Sequence, residues 1–131
     1  MKYILLMNGT QATCDWYTSW PKEDLKANIA FMRSFSKELK DSGVFVASEG
    51  LAFPNQAKIV RAGSDGTPIT DGIFPESKEF LMGYFIVDVE SAEHAHKIAA
   101  RLSVAPAPEG TKERMPVEVR QVMSGPPEEL G

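Results

Sequence analysis

Hydrophobic residues recur along the chain at two spacings, which together predict an alternation of strands and helices. Residues 2–7 are apolar on both alternating faces and precede the turn dipeptide Asn8-Gly9, which predicts a first strand. Between Pro21 and Gly43 the apolar residues follow the helical period, which predicts an amphipathic helix of about twenty residues. Residues 10–20 follow neither period and predict a long loop.

The rest of the chain predicts further strands and a second helix. The strands cover residues 44–47, 58–62, 80–88 and 117–122. Gly and Pro residues at 63–68 predict a hairpin-type turn, and Ser91 is a good N-cap for a helix over residues 91–102. This order of elements resembles the split βαβ arrangement of ferredoxin-like α+β domains. The predicted fold is therefore an antiparallel sheet of these five strands with two helices on one face.

The sheet face opposite the helices is predicted to need a cover. A sheet with one solvated face alternates apolar with polar residues, yet residues 2–7 and 80–87 are apolar on both faces. The predicted elements supply no third layer. A second copy of the chain, packed sheet to sheet with two-fold symmetry, would cover this face, so the sequence predicts a homodimer.

Length and charge limit the classes of function. The chain has 131 residues, which predicts one domain over residues 1–123 followed by a frayed tail at 124–131. The net charge is −4 and no basic run is present, so nucleic acid is not an expected partner. The apolar opening segment is too short for a signal peptide or membrane span, and we expect no membrane partner and a cytoplasmic location.

Four segments of the chain resemble one family in sequence and in order. They are VASEGLA at 46–52, TDGIFPESKE at 70–79, GYFIVD at 83–88 and VEVR at 117–120. These segments are similar to the YCII-related proteins, specifically the branch named for its Asp-Gly-Pro-Phe motif, with Ile73 where the motif has proline. The resemblance implies a ferredoxin-like fold that dimerises into an α+β barrel-like assembly. It also implies a cleft with suspected enzymatic activity, and an association with extracytoplasmic sigma factors.

Candidate catalytic residues lie within and beside the second of these segments. Asp71 and Glu79 offer a pair of carboxylates near the cation of Lys78, an arrangement that suits general acid–base catalysis. The alternative is structural: Asp71 caps the turn at Gly72, while Lys78 and Glu79 are ordinary charges at the start of a strand.

Four further residues are candidates for ligand binding: Glu49, Phe74, His96 and Trp16. His96 lies one turn from two alanines of the predicted buried stripe, so we expect it to be half-buried. Trp16 belongs to an aromatic cluster that either closes over a ligand or packs under its own loop. The sequence contains no zinc pattern or phosphate-binding loop, so no metal or cofactor is predicted. Cys14, the single cysteine, is interpreted as a small side chain in a loop rather than as a nucleophile.

These features predict a YCII-related protein with a small-molecule pocket near a dimer interface. Two alternatives stay open. One is a small acid–base enzyme that acts on a polar metabolite. The other is an accessory module that binds a ligand or protein in connection with sigma-factor regulation.

Overall fold

The computed structural model describes residues 1–72, 78–111 and 114–123, and its centre is a four-stranded antiparallel sheet. The order of the strands in the sheet is β2-β5-β1-β6. Their bounds are β1 Lys2–Gly9, β2 Phe45–Gly50, β5 Phe80–Asp88 and β6 Glu118–Gln121. Two helices, α2 (Lys22–Asp41) and α3 (Ala92–Ser103), connect strands of this sheet, and the arrangement is compatible with a ferredoxin-like α+β fold.

The hydrophobic core lies between the two long helices and one face of the sheet. Leu5, Phe85 and Val87 supply the sheet side, and Phe35 of α2 and Leu102 of α3 pack against them. Both helices therefore cover the same face, as the sequence predicts.

The predicted strand 58–62 forms, but its predicted place in the main sheet is wrong. It is β3 (Lys58–Ala62), and it pairs with β4 (Pro68–Gly72) in a separate two-stranded sheet whose residues are all exposed. The physical reason is the turn between them, in which Asp65 Oδ1 accepts hydrogen bonds from the backbone N and the hydroxyl of Thr67, and Gly66 adopts a φ of 85°. This pairing supplies hydrogen-bond partners along one edge of each strand, so neither strand needs a neighbour in the main sheet.

The predicted loop at residues 10–20 is also wrong, because Gln11–Thr18 form the helix α1. Thr10 caps this helix: its hydroxyl accepts from the Thr13 backbone N–H, and the Thr13 hydroxyl accepts from the Thr10 backbone N–H. Reciprocal capping satisfies two backbone donors and fixes the start of a helix that has no regular apolar stripe.

The sheet face opposite the helices carries a row of partly buried apolar side chains. Ile4 pairs with Ile86, and Leu6 pairs with Tyr84, so the four side chains lie side by side on the two central strands. The described helices include none that is long and apolar enough to cross a membrane. The predicted tail at 124–131 and the motif residue Phe74 lie outside the described residues.

Candidate functional site

A cleft of about 1470 Å³ opens on the helix-bearing side of the sheet, at the end where β1 finishes and β5 begins. Its walls are α1, the N-terminal half of α2, and the end of α3 with the described residues that follow it, 105–111 and 114–116. This volume exceeds the roughly 300–1,000 Å³ of common ligand pockets, so the cleft has room for a metabolite of ordinary size.

The floor of the cleft combines a pair of glycines with the side chains of Met7 and Phe85. Gly50 of β2 pairs directly with Gly83 of β5, and both line the cleft. A Cβ atom built at Gly50 would have nothing within 4 Å. A Cβ at Gly83 would lie 3.0 Å from the Glu49 carbonyl oxygen and 3.3 Å from Met7 Cε, so only Gly83 is required for the close approach of the two strands.

The wall formed by α2 is the part of that helix that does not pack in the hydrophobic core. Phe35 and Leu39, in its second half, are fully buried. One and two turns earlier, Met32 is half-buried and Ile29 is 45% exposed, and both line the cleft. Asn28 Nδ2 donates a hydrogen bond of 3.0 Å to the Pro106 carbonyl oxygen and so joins this wall to the residues that follow α3.

The aromatic cluster of α1 and the turn after it forms the opposite wall. The ring centroids of Trp16 and Trp20 lie 4.9 Å apart at 78°, and Tyr17 lies 4.9 Å from Trp20. Trp20 is buried and its indole N–H has no hydrogen-bond partner within the described part of the chain. Trp16 is 45% exposed, so it borders the cleft rather than packing entirely under its own segment.

Cys14 fixes α1 against the sheet. Its side chain is buried, and its Sγ lies 3.6 Å from Met82 Sδ of β5. Burial, together with the neighbouring charge of Asp15, raises the pKa of the Cys14 thiol above its ordinary value. A thiol that resists ionisation is a poor nucleophile, which agrees with its interpretation as a small packing side chain, although it lies in a helix and not in a loop.

Charged side chains of both signs border the cleft. They are Arg33, Glu49, Glu79, Glu109 and Arg114. The ion pairs formed among the described residues include none of them. The cleft therefore offers charges that would orient the polar substituents of a bound molecule.

The structure places only some of the predicted site residues together. Glu49, Glu79 and Trp16 all line the cleft. Asp71 lies on the β3–β4 hairpin, where its carboxylate pairs with the Arg61 guanidinium at 3.0 Å, and it does not line the cleft. Lys78 is exposed and is likewise absent from the cleft lining.

His96 lies elsewhere, and its predicted half-burial is wrong. The side chain is exposed on α3 and borders a separate groove of about 310 Å³ with Val117 and Val119. The apolar stripe of α3 turns its alanines and Ile98 toward the core and leaves His96 on the flank. The described residues contain no group of three histidine, cysteine or acidic side chains that would hold a metal ion.

Sequence reasoning missed the walls of the cleft. Ile29 belongs to the same helical stripe as Phe35, so periodicity alone assigns it to the core. The segment 103–116 has no regular period, and only its run of prolines indicates a fixed backbone. Arg33 gave no signal, because an exposed cation is an ordinary residue on the polar side of an amphipathic helix.

Two sequence comparisons relate the chain to known proteins. An uncharacterized protein of Rhizobium meliloti (strain 1021) is 26% identical over 114 residues, which cover 87% of this chain and 89% of that protein. The family model of the YCII-related domain matches residues 1–120, a range that contains all residues lining the cleft and the main sheet except Gln121, the last residue of β6. The chain therefore belongs to the YCII-related domain family.

Proposed function

We propose that the protein binds a small molecule in the cleft beside Gly50 and Gly83. The observation that carries this proposal is the group of large apolar side chains left exposed around the cleft. Its members are Trp16, Ile29, Leu51 and Phe53, with exposed fractions between 37% and 45%. Apolar area removed from water contributes roughly 25 cal/mol per Å², so a molecule that covers these side chains gains binding free energy from each.

The test uses 1-anilinonaphthalene-8-sulfonate, a dye that fluoresces in apolar sites, with excitation of tryptophan. The chain has two tryptophans and both line the cleft, so energy transfer to the dye reports on this site. We expect one saturable binding event, and then displacement of the dye by members of a metabolite library. The absence of saturable binding would contradict the proposal.

A variant of the cleft wall makes this test specific. We expect Ile29→Asn to weaken dye binding about tenfold, because it replaces an exposed apolar side chain of the cleft with a polar one. The matched control is Val60→Asn on the β3–β4 hairpin, which changes a residue of similar exposure outside the cleft and should bind the dye as the native chain does. Equal affinities in the two variants would place the dye elsewhere.

A second candidate function is acid–base catalysis on the bound molecule, favoured by the presence of Glu79 and Glu49 at the same cleft. Glu79 would transfer the proton, while Asp71 would take part only if the molecule also reached the hairpin, and Lys78, which precedes Glu79 in the chain, only if it also reached beyond the cleft lining. For a library compound that is converted, we expect Glu79→Gln to lower turnover by about 10²–10⁴-fold with little change in binding. Glu93→Gln, an exposed change on α3, is the control; unchanged turnover in Glu79→Gln would remove this candidate.

We also propose that the chain forms a homodimer through the sheet face that carries Ile4, Leu6, Tyr84 and Ile86. This row is apolar, it lies on the two central strands, and none of its four residues belongs to the described core between the helices and the sheet. Charged residues flank it on the edge strand β6, where Glu118 pairs with Asn8 and lies near Arg120. An apolar centre with a polar rim is typical of protein interfaces.

The cleft floor and this proposed interface lie on opposite sides of the sheet. Gly83 and Phe85 of the floor share the face of Val87, which is in the core, whereas Tyr84 and Ile86 face the other way. We therefore propose a ligand site separate from the dimer interface, rather than the pocket beside the interface that the sequence predicts. Membership of the Asp-Gly-Pro-Phe branch, a cytoplasmic location and a connection with sigma-factor regulation stay predictions from the sequence.

A further inference from the structure

We propose that the ligand of the cleft is a short extended peptide, which adds as an antiparallel strand to the free edge of β2. This inference rests on the proposed function, because it names the chemical class of the ligand for the same site. It goes beyond apolar contact, since hydrogen bonds of the sheet would recognise the main chain of the peptide.

The free edge of β2 carries backbone groups that point away from the sheet. Strand β2 is the outermost strand of the main sheet on one side, and β5 is its neighbour there. The hydrogen bond of 2.9 Å from Leu51 N to the Met82 carbonyl oxygen marks a hydrogen-bonded pair. The next pair, Gly50 and Gly83, is therefore a non-hydrogen-bonded one. This alternation directs the backbone N–H and C=O groups of Gly50 and of Ser48 away from β5.

The cleft reaches this free edge. Successive side chains of a strand point to opposite faces of the sheet, yet the four consecutive residues 48–51 all line the cleft. The cleft therefore extends to the edge of β2 rather than ending on one face. Within residues 1–72, 78–111 and 114–123, no hydrogen bond uses the outward backbone groups of Ser48 or Gly50. Two donors and two acceptors at the cleft are thus available to a ligand.

The apolar walls suit the side chains of such a peptide. A residue paired with Gly50 or Ser48 directs its side chain to the helix-bearing face, because Phe85, directly opposite Ser48, is in the core on that face. A Cβ atom at Gly50 would have nothing within 4 Å, so a large side chain has room over this residue. Alternate residues of the peptide would then contact the exposed apolar side chains of Ile29 and Phe53.

The experiment uses the capped tripeptide acetyl-Phe-Thr-Phe-amide and two isomers that each carry one added methyl group. In the proposed pairing the N–H groups of both phenylalanines point to β2, and the threonine N–H points away from it. A methyl group on the nitrogen of the second phenylalanine removes a hydrogen bond to β2, whereas a methyl group on the threonine nitrogen removes none. We expect the first isomer to bind the native chain at least tenfold more weakly than the second, as measured by the fluorescence of the two tryptophans at the cleft.

A proline substitution on β2 tests the same pairing from the side of the protein. Ser48→Pro removes an N–H that points away from β5, so the ladder keeps its bonds, and we expect the unmethylated tripeptide to bind about tenfold more weakly. The matched control is Gln121→Pro on β6, the opposite edge strand. The hydrogen bond from Val122 N to the Lys2 carbonyl oxygen fixes the alternation on β6, so the Gln121 N–H also points away from the neighbouring strand. Gln121 lies outside the cleft, and its variant should bind the tripeptide as the native chain does.

The outcomes separate this inference from the proposed function. Equal affinities of the two methylated isomers, or native-like binding of the tripeptide by a folded Ser48→Pro variant, would overturn the strand pairing. If 1-anilinonaphthalene-8-sulfonate binds saturably but the tripeptide does not, the cleft is a ligand site and the peptide class is wrong. If no probe and no library compound binds at all, both proposals fail. Circular dichroism and a thermal melt establish that each variant is folded, and the isomers test the pairing on the native chain even if Ser48→Pro does not fold.

Discussion

An Ile86→Glu variant is expected to be a monomer at micromolar concentrations at which the native chain is a dimer. Ile86 lies at the centre of the apolar row on the open sheet face, directly opposite Ile4. In a sheet-to-sheet dimer its carboxylate would be buried without a partner, and the cost of burying an unpaired charge is at least several kcal/mol. Size-exclusion chromatography with light scattering measures the mass of each species.

The control for this variant is Ile69→Glu on the β3–β4 hairpin. Ile69 is 49% exposed and belongs to the hairpin rather than to the open face, so the same substitution there should leave the dimer intact. A native chain with the mass of a single copy at micromolar concentration would contradict the proposed dimer. Dissociation in Ile69→Glu, with a stable dimer in Ile86→Glu, would move the interface to the hairpin.

Replacement of Phe35 by alanine is expected to lower the free energy of unfolding by about 3–5 kcal/mol. Phe35 is 2% exposed, and its ring meets that of Phe85 edge to face with centroids 5.2 Å apart. Phe31 stacks on its other side at 5.9 Å. Removal of the ring would leave a cavity between α2 and the sheet, because neither neighbour is free to fill it.

Urea denaturation measures this loss, and Phe53→Ala is the matched control. Phe53 is 37% exposed at the mouth of the cleft, so the same change should cost no more than about 1 kcal/mol. A small effect of Phe35→Ala, comparable to that of the control, would mean that α2 does not hold the core as described. Because Phe85 also lines the cleft, Phe35→Ala should in addition weaken dye binding.

The elements with a strong pattern were predictable from the sequence. Helix α2 has an apolar stripe and ends at Asp41, two residues before Gly43, which adopts the φ of 78° typical of a glycine that follows a helix. Strand β5 is continuous and apolar, and its predicted range of 80–88 matches its bounds. In these elements local propensity and burial favour the same structure, so the hydrophobic pattern alone is enough to predict the element.

The features that were predicted wrongly depend on contacts of single residues, which the spacing of hydrophobic positions does not show. Helix α1 is defined by the capping of Thr10 and Thr13, a signal of single residues within an irregular segment. The sequence does predict the hairpin-type turn at 63–68 that pairs β3 with β4, but the alternating pattern of β3 fits either sheet and wrongly places the strand in the main one. A strand pattern predicts that a strand exists, and turn chemistry decides its neighbour.

The candidate site was predictable in part for a similar reason. Glu49, Glu79 and Trp16 are at the cleft, as expected of residues near strand ends and in an aromatic cluster. Asp71 and Glu79 are close in sequence, but the hairpin carries Asp71 toward Arg61 instead. The cleft exists because α2 leaves the core in the turns before Phe35 and because Asn28 bonds to Pro106 after α3. Both depend on contacts between residues far apart in the sequence.

The most direct test of the cleft as the ligand site is the ¹H–¹⁵N correlation spectrum of the protein during titration with 1-anilinonaphthalene-8-sulfonate. The spectrum contains the indole N–H signals of the two tryptophans and the backbone amides of Gly9, Gly50 and Gly83, all at the cleft. We predict that the largest shifts occur in these signals, while the amides of the β3–β4 hairpin and of α3 around His96 stay nearly unchanged. Shifts centred on Asp71 or on His96, with the glycine floor and the tryptophans unaffected, would contradict the account.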